Sequence, residues 1–331
     1  MSIVVISTDG SLSKSAACLD LLRDAGFDAH RVENREVSLG GGTEGQLIDM
    51  LKDAVAVIAW GEKYTAQVLS SLPNLRVVAR AGVGFDRVDL KMATAHNKVV
   101  TIALTANYEA VAEHALCLIL AVAKSVVSGD RAIRAGRWRG VPGLPVRDKT
   151  LGIIGLGRIG RALAARATAL RMNIIATEKF PDESFIKEHD IALLELDELF
   201  ARSDFISIHC PLNDETRGII NARTLAAMKP GVVLVNTARG GLVVESDLVD
   251  AIRSGHLGGA GLDVLEHEPI NSDNPLLEFG NVVLSPHIAG NDALAMEQMG
   301  IESAQSIIDL SRGSWPEPVV VNPKVKATWK W

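Results

Sequence analysis

Leu151-Gly152-Ile153-Ile154-Gly155-Leu156-Gly157-Arg158-Ile159-Gly160-Arg161-Ala162-Leu163-Ala164-Ala165 is the stretch from which the fold is read. A short apolar run leads into three glycines spaced Gly-x-Gly-x-x-Gly, and an alanine- and leucine-rich segment of helical character leaves them. The next apolar run, Asn173–Thr177, ends in Glu178, eighteen residues past Gly160. Strand, glycine turn, helix, strand and acid in this order form the dinucleotide fingerprint in its full context. Gly155 permits the tight turn, Gly157 lets the backbone approach a pyrophosphate, and Gly160 lets helix and strand pack closely. The helix N-terminus then offers unpaired N–H groups to phosphate. Glu178 would accept the two adenine-ribose hydroxyls and repel a 2′-phosphate, which favours NAD over NADP. The neighbouring Lys179 pulls the other way.

Outward from this unit the same rhythm repeats. Ser2–Ser7, Ala54–Trp60, Arg76–Arg80 and Val99–Ala103 read as buried parallel strands, being apolar nearly throughout. After the fingerprint, Phe205–His209, Val232–Asn236, Ala260–Val264 and Asn281–Leu284 continue the series. Helices are expected over Ser13–Ala25, Glu44–Lys52, Glu109–Val127 and Asp292 to about Leu310, the last stopped by Gly313. Such runs of βα units build parallel sheets with helices on both faces, an α/β architecture of two doubly wound domains. Gly136–Arg147, rich in glycine and proline, reads as a loop or arm.

The 331 residues suit two domains at roughly 150 each. Apolar residues make up 47% and charged residues 22%, as in ordinary globular chains. Lys+Arg is 34 against 40 Asp+Glu, a net charge of −6 with no basic footprint for nucleic acid. The longest apolar run, Ala115–Ala123, has nine residues, against about 20 for a membrane span. The N-terminus lacks the basic region and cleavage site of a secretory signal. Cys18, Cys117 and Cys210 fit neither a disulfide framework nor metal spacing, so a cytoplasmic chain without a metal site is expected.

Four further motifs add identity: Arg80-Ala81-Gly82-Val83-Gly84, Asn236-Thr237-Ala238-Arg239-Gly240-Gly241, Gly261-Leu262-Asp263-Val264 through Glu268-Pro269, and Ser285-Pro286-His287-Ile288-Ala289-Gly290. With the fingerprint and Val111-Ala112-Glu113-His114, the chain resembles the D-isomer-specific 2-hydroxyacid dehydrogenase family over nearly its whole length. The resemblance implies a Rossmann NAD-binding domain, residues 106–291, inserted into a flavodoxin-like substrate domain formed by 1–105 and 292–331. The helices starting near Glu109 and Asp292 would make the two crossings. It also implies a catalytic set of Arg239, Glu268 and His287. His287 would exchange the substrate hydroxyl proton, the chemistry for which histidine is suited near neutral pH. Glu268 on the other imidazole nitrogen would fix the tautomer and stabilise the imidazolium. Arg239 would hold the substrate carboxylate and carbonyl oxygen with its planar fork of donors.

By the same resemblance, the N–H groups of Gly82, Val83 and Gly84 bind the substrate carboxylate, and Asp263 meets the nicotinamide carboxamide. Val83, Arg158, Ile159, His209, Cys210, Pro211, Thr216, Thr237, Ala238 and Gly290 line the cofactor. Trp60, Arg80 and Asn107 fall at substrate-contacting positions. Trp60-Gly61 stands where phosphoglycerate dehydrogenases typically carry Arg-Ser, which weakens the case for a phosphorylated substrate. Asp148 and Arg171 stand where glycine is frequent, and Arg87 where asparagine is. Glu113 and His114 are expected to pack and cap rather than catalyse. Trp315, Trp329 and Trp331 read as a tail docked on its domain.

The function expected is oxidoreduction of a small 2-hydroxy acid with NAD, by a homodimer whose arm Gly136–Arg147 reaches its partner. An NADP-linked glyoxylate/hydroxypyruvate reductase is the near alternative. An NADH-sensing corepressor-like binding protein is the distant one. Both domains are accounted for by residue 331, so the regulatory domain of longer phosphoglycerate dehydrogenases is not expected.

Overall fold

A computed structural model describes residues 2–8, 17–138, 140 and 142–331. The chain divides into two compact units, Met1–Asn107 with Asn291–Trp331, and Tyr108–Gly290.

The first unit is a five-stranded sheet of β1 (Ile3–Thr8), β2 (Asp28–Glu33), β3 (Ala54–Ala59), β4 (Val77–Arg80) and β5 (Val99–Ile102). The order is β2-β1-β3-β4-β5, parallel throughout, which is the flavodoxin-like order. Alternate residues enter opposite cores, as a pleat of period two demands. Val4, Ile6, Ala56, Ile58, Val77 and Ala79 face one; Val5, Val57, Val78 and Val100 face the other. The Ala293–Ser311 helix, capped by Asp292, lies on the first face with Ala304, Ile307 and Leu310 buried. The return segment then covers the exposed edge of β5. Val321 donates to the Val100 carbonyl at 3.0 Å, and the Asn322 amide accepts from Val100 N–H at 2.9 Å. Trp315, Trp329 and Trp331 follow in edge-to-face contact, the last reaching Phe27, so the expected tail docking is present.

The second unit is a seven-stranded parallel sheet: β6 (Thr150–Ile154), β7 (Asn173–Thr177), β8 (Ala192–Leu193), β9 (Phe205–Ile208), β10 (Val232–Asn236), β11 (Leu257–Leu262) and β12 (Val282–Leu284). Its order β8-β7-β6-β9-β10-β11-β12 is the Rossmann order extended by one strand. The α/β class with two parallel-sheet domains is therefore what the chain forms.

Several expectations need correction. The helix read over Glu109–Val127 is two, Tyr108–Ala123 and Val126–Arg134, bent by 59° at Ser125, whose φ is +53°. No single helix among the described residues is long and apolar enough to cross a membrane. The Tyr108–Ala123 helix belongs to the second unit and the Ala293–Ser311 helix to the first. β11 begins at Leu257, not Ala260, because its glycines are not a turn. A Cβ on Gly259 would stand 2.7 Å from Val122 Cγ1, and one on Gly261 2.8 Å from Leu118 Cβ. Strand and helix approach too closely for side chains there. The polar edge strand β2 and the two-residue β8 carry no buried apolar run, and the sequence does not announce them. The first expected helix is described as Ala17–Asp24, and its expected start at 13–16 lies outside the described residues. So do residues 139 and 141 of the arm.

Candidate active site

In a doubly wound sheet the crevice lies beyond the carboxyl ends of the strands, where the strand order reverses. In the second unit that point is between β6 and β9. The glycine loop leaves β6 there, and the Arg158–Ala169 helix opens with Gly157 as its N-cap. The three glycines are needed for different reasons. Gly155 has φ +96°, and a Cβ on it would stand 2.6 Å from Cys210 N, against the loop leaving β9. A Cβ on Gly160 would lie 2.2 Å from the Gly155 carbonyl. At Gly157 a Cβ would meet no protein atom within 4 Å. Protein packing accounts for two glycines, and open space where a phosphate would approach accounts for the third.

The Glu178 carboxylate accepts from Leu156 N–H at 2.7 Å and Phe180 N–H at 2.9 Å, so it braces the glycine loop. Lys179 pairs with exposed Glu215 at 3.1 Å. Beyond β9, His209 pairs through Nε2 with Ser207 Oγ at 2.8 Å, and burial pushes its pKa down to about 3. Its Nδ1 is buried without a partner, as is the Thr237 hydroxyl beyond β10. Buried polar atoms are ordinarily paired. Two such atoms, at the carboxyl ends of β9 and β10 on the same side of the sheet as the glycine cradle, fit a bound polar cofactor, as do Gly157 and the helix N-terminus. Thr216 is engaged in its own turn, donating to the Pro211 carbonyl at 2.6 Å. Burial pushes the Cys210 thiol up to about 11, away from reactivity.

The next three strands deliver the candidate catalytic set. Asn236, Leu262 and Leu284 stand in register across β10, β11 and β12. Thr237, Asp263 and Ser285 follow them directly, with Arg239, Glu268 and His287 a few residues further on. Gly240 lets the first of these loops touch the second: a Cβ there would lie 1.9 Å from the Leu265 carbonyl. The Arg239 side chain donates to the Ala238 carbonyl at 2.7 Å. Glu268 Oε1 accepts from Leu265 N–H at 3.1 Å, and Oε2 accepts from His287 Nδ1 at 2.8 Å. The expected His–Glu pair is thus formed, with the ring partly exposed.

Asp263 does more in this unit than its sequence reading anticipates. Its carboxyl is 2% exposed and accepts from Ser285 Oγ at 2.6 Å, Ile288 N–H at 3.0 Å and Ala289 N–H at 2.8 Å. Its carbonyl accepts from His287 N–H at 2.8 Å. His114 Nε2 lies 2.8 Å from Ser285 Oγ and 3.5 Å from Asp263 Oδ1. Because the Ser285 hydroxyl gives its proton to Asp263, His114 is the donor to Ser285. His114 therefore belongs to the polar support of the His287 loop. Glu113 pairs with Arg166 instead, at 3.1 Å.

The first unit carries Trp60, Arg80 and Gly82–Gly84, read as substrate contacts, at the carboxyl ends of β3 and β4, and Asn107 beyond β5. Gly82 has φ +143°; its N–H donates to the Arg80 carbonyl at 2.9 Å and is therefore already used. Among the described residues, the N–H groups of Val83 and Gly84 are given to no protein acceptor. Asn107 Oδ1 is buried without a partner, and its Nδ2 would lie 3.9 Å from a Cβ on Gly82. Arg80 is 9% exposed and donates through Nε to the Gly84 carbonyl at 3.1 Å. Arg87 donates to the Gly61 carbonyl at 2.7 Å, tying together the loops beyond β3 and β4. Glu62, which sequence reasoning misses, accepts from Trp60 N–H at 2.6 Å and lies 3.9 Å from Arg80 Nη1. Its one signal is an acid placed just beyond an all-apolar strand.

Comparison with known proteins identifies the class. Residues 116–289 match the model of the D-isomer specific 2-hydroxyacid dehydrogenase, NAD binding domain. The chain is 44% identical over 244 residues to D-3-phosphoglycerate dehydrogenase of Mycobacterium leprae, covering 73% of this chain and 46% of that one. It is 38% identical over 286 residues to glyoxylate reductase of Korarchaeum cryptofilum, covering 84% and 86%. The TT0316 protein of Thermus thermophilus superposes with a TM-score of 0.85 at 34% identity, covering 97% of this chain and all of that one. The chain spans about half the length of the phosphoglycerate dehydrogenases it matches first. It belongs to the D-isomer-specific 2-hydroxyacid dehydrogenase family, and the unit Tyr108–Gly290 is an NAD-binding domain of that family.

Proposed function

We propose that the chain is an NAD-dependent oxidoreductase interconverting a small 2-hydroxy acid and its 2-keto acid. The observation that carries this reading is the His287 Nδ1–Glu268 Oε2 hydrogen bond at 2.8 Å, set on loops beyond the same strand edge as the glycine cradle. With Nδ1 donating to Glu268, the neutral ring presents Nε2 as the base. In oxidation Nε2 takes the hydroxyl proton; in reduction the imidazolium returns it to the carbonyl oxygen, with Glu268 holding the charged ring. Arg239 binds the carboxylate and carbonyl oxygen. NAD, when bound, supplies the hydride acceptor at its nicotinamide. Gly157 and the helix start hold the pyrophosphate in the turn that Gly155 and Gly160 shape. Glu178 takes the ribose hydroxyls, which favours NAD over NADP.

The same reading makes the protein a cytoplasmic homodimer. The Val126–Arg134 helix buries none of its residues, with Val126 and Ile133 exposed on it and Trp138 and Leu144 exposed on the arm. A second copy would cover them. Cys117 is an exposed free thiol, as a reducing compartment permits.

The test is oxidation of NADH, and separately of NADPH, against a panel of small 2-keto acids. His287→Gln is expected to lower kcat by about 10²–10⁴-fold, the usual worth of a general acid–base. NADH affinity by fluorescence titration should stay within about threefold. Unchanged turnover in this variant would remove His287 from the mechanism.

A further inference from the structure

The carboxyl ends of β3 and β4 hold a buried ionic knot that the proposed mechanism does not use. Glu62 is 1% exposed and Arg80 9%. Glu62 Oε2 takes the Trp60 N–H and lies 3.9 Å from Arg80 Nη1, while Arg80 Nε is given to the Gly84 carbonyl. Glu62 Oε1, Arg80 Nη1 and the hydroxyl of fully buried Tyr64 have no hydrogen-bond partner. Acid and guanidinium thus sit directly behind the residues at which the substrate's substituent is expected, Trp60 and the Gly82–Gly84 loop.

We propose that Glu62 is a specificity-determining residue: by neutralising Arg80 it selects 2-hydroxy acids with a short uncharged substituent and rejects those bearing phosphate. The proposal rests on the 2-hydroxyacid dehydrogenase reading above. A phosphate carries nearly two negative charges and, once partly desolvated, needs cations of its own. Arg80 supplies no uncompensated charge, since its Nε is given to a carbonyl and its guanidinium lies beside the Glu62 carboxylate. A phosphate brought to Arg80 would share a single positive charge with Glu62, and the two anions would repel in a poorly solvated place. Trp60 adds an indole there, and the neighbouring Arg87 guanidinium is given to the Gly61 carbonyl.

The unpaired atoms fit a neutral group. A hydroxyl donates and accepts at once, so it can give its proton to Glu62 and receive one from Arg80; an anion can only accept. Burial raises the Glu62 carboxyl, and the neighbouring Ser7 and Arg80 oppose it by favouring the carboxylate. Moving a further negative charge nearby would push it the same way as burial. The substrate class is therefore a 2-hydroxy acid carrying methyl, hydroxymethyl or a similar neutral substituent.

The experiment compares two 2-keto acids that differ only in the phosphate, hydroxypyruvate and its 3-phosphate ester, with NADH. The wild type should prefer the neutral acid by at least tenfold in kcat/KM. Glu62→Gln keeps the shape and removes the charge, and should move that ratio at least tenfold toward the ester, chiefly through its KM. Glu62→Asp should keep the wild-type preference. A wild type that prefers the ester overturns the proposal. So does a Glu62→Gln variant that loses activity equally with both acids, which is a packing effect alone. Calorimetric titration with glycerate and 3-phosphoglycerate repeats the comparison without turnover. Turnover of neither keto acid counts against the proposed function; tighter wild-type binding of phosphoglycerate counts against the role of Glu62. The wild-type comparisons also decide the matter if Glu62→Gln does not fold.

Discussion

His287 adopts a left-handed backbone, φ +55°, which few non-glycine residues hold without support from their surroundings. Asp263 is that support. Its carbonyl takes the His287 N–H while its carboxylate takes the next two amides, so the loop is gripped on both sides of the histidine. Ser285 then donates to Asp263 and receives from His114, which aims the carboxylate. Ser285→Ala removes the middle of this chain and leaves Nε2 of His114 without its closest partner. The expected loss is about 1 kcal/mol of stability and several-fold in kcat, with NADH affinity held within about twofold. A kcat equal to wild type would show that Asp263 holds the loop unaided. Arg239, Glu268 and His287 are visible in the sequence because each stands in a motif whose chemistry names its residue type. The Glu268–His287 pairing in space agrees with that expectation. His114 as a support, and Glu62 altogether, are not visible, because each works through whatever folds against it. No local pattern distinguishes an acid that will be buried against an arginine from one that will face water.

Among the elements, the entrance to β6 carries two further left-handed residues, Asp148 at φ +63° and Arg171 at φ +61°. The two turns are joined: Asp148 N–H donates to the Arg171 carbonyl at 2.7 Å, and the Arg171 guanidinium to Asp148 Oδ1 at 2.8 Å. Both side chains are well exposed, at 71% for Arg171 and 65% for Asp148, so the pair contributes little in water. Left-handed strain costs about 1–2 kcal/mol for an ordinary side chain and less for aspartate, whose short polar group bonds locally. Arg171→Gly should therefore stabilise, by about 0.5–1 kcal/mol after the added freedom of the unfolded chain is subtracted. Asp148→Gly should leave stability nearly unchanged. Calorimetric melting should show the first variant about 2 °C above wild type, and a lower Tm would mean the ion pair outweighs the strain. Both positions stand out in the sequence as departures from glycine, but the pairing that links them does not. Legibility at this scale follows burial. Central strands announce themselves as unbroken apolar runs, whereas β2 and β8 at the edges do not. β11 reads three residues short in the sequence because its glycines serve close approach to a helix, and glycines in a sequence resemble turns.

For the molecule as a whole, the decisive fact is that one unit is continuous in the chain and the other is not. The unit Tyr108–Gly290 closes its sheet, its cofactor cradle and the Arg239, Glu268 and His287 loops within a single stretch. The first unit leaves the β5 edge and one face of its core to residues that arrive after position 290. Val320 and Val325 lie in that core, with Trp315, Trp329 and Trp331 packed against it. Asn322 alone bonds to Val100, Lys98 and Thr94. The three tryptophans make the tail conspicuous in the sequence; the register of its pairing with β5 depends on tertiary contact and is not readable there. The two units should consequently respond differently to loss of the tail. A chain ending at Gly313 uncovers the β5 edge and exposes several large apolar side chains, each worth about 1.5–3 kcal/mol when buried. That loss is comparable to the whole stability of a domain of this size. The first unit should then be digested rapidly by a protease of broad specificity, while a fragment near 108–290 survives. The surviving fragment should still raise NADH fluorescence with an affinity close to that of the full chain, since every residue assigned to the pyrophosphate and ribose lies within it. Digestion of both units at one rate, or a fragment that fails to bind NADH, would show that the second unit needs the first to fold.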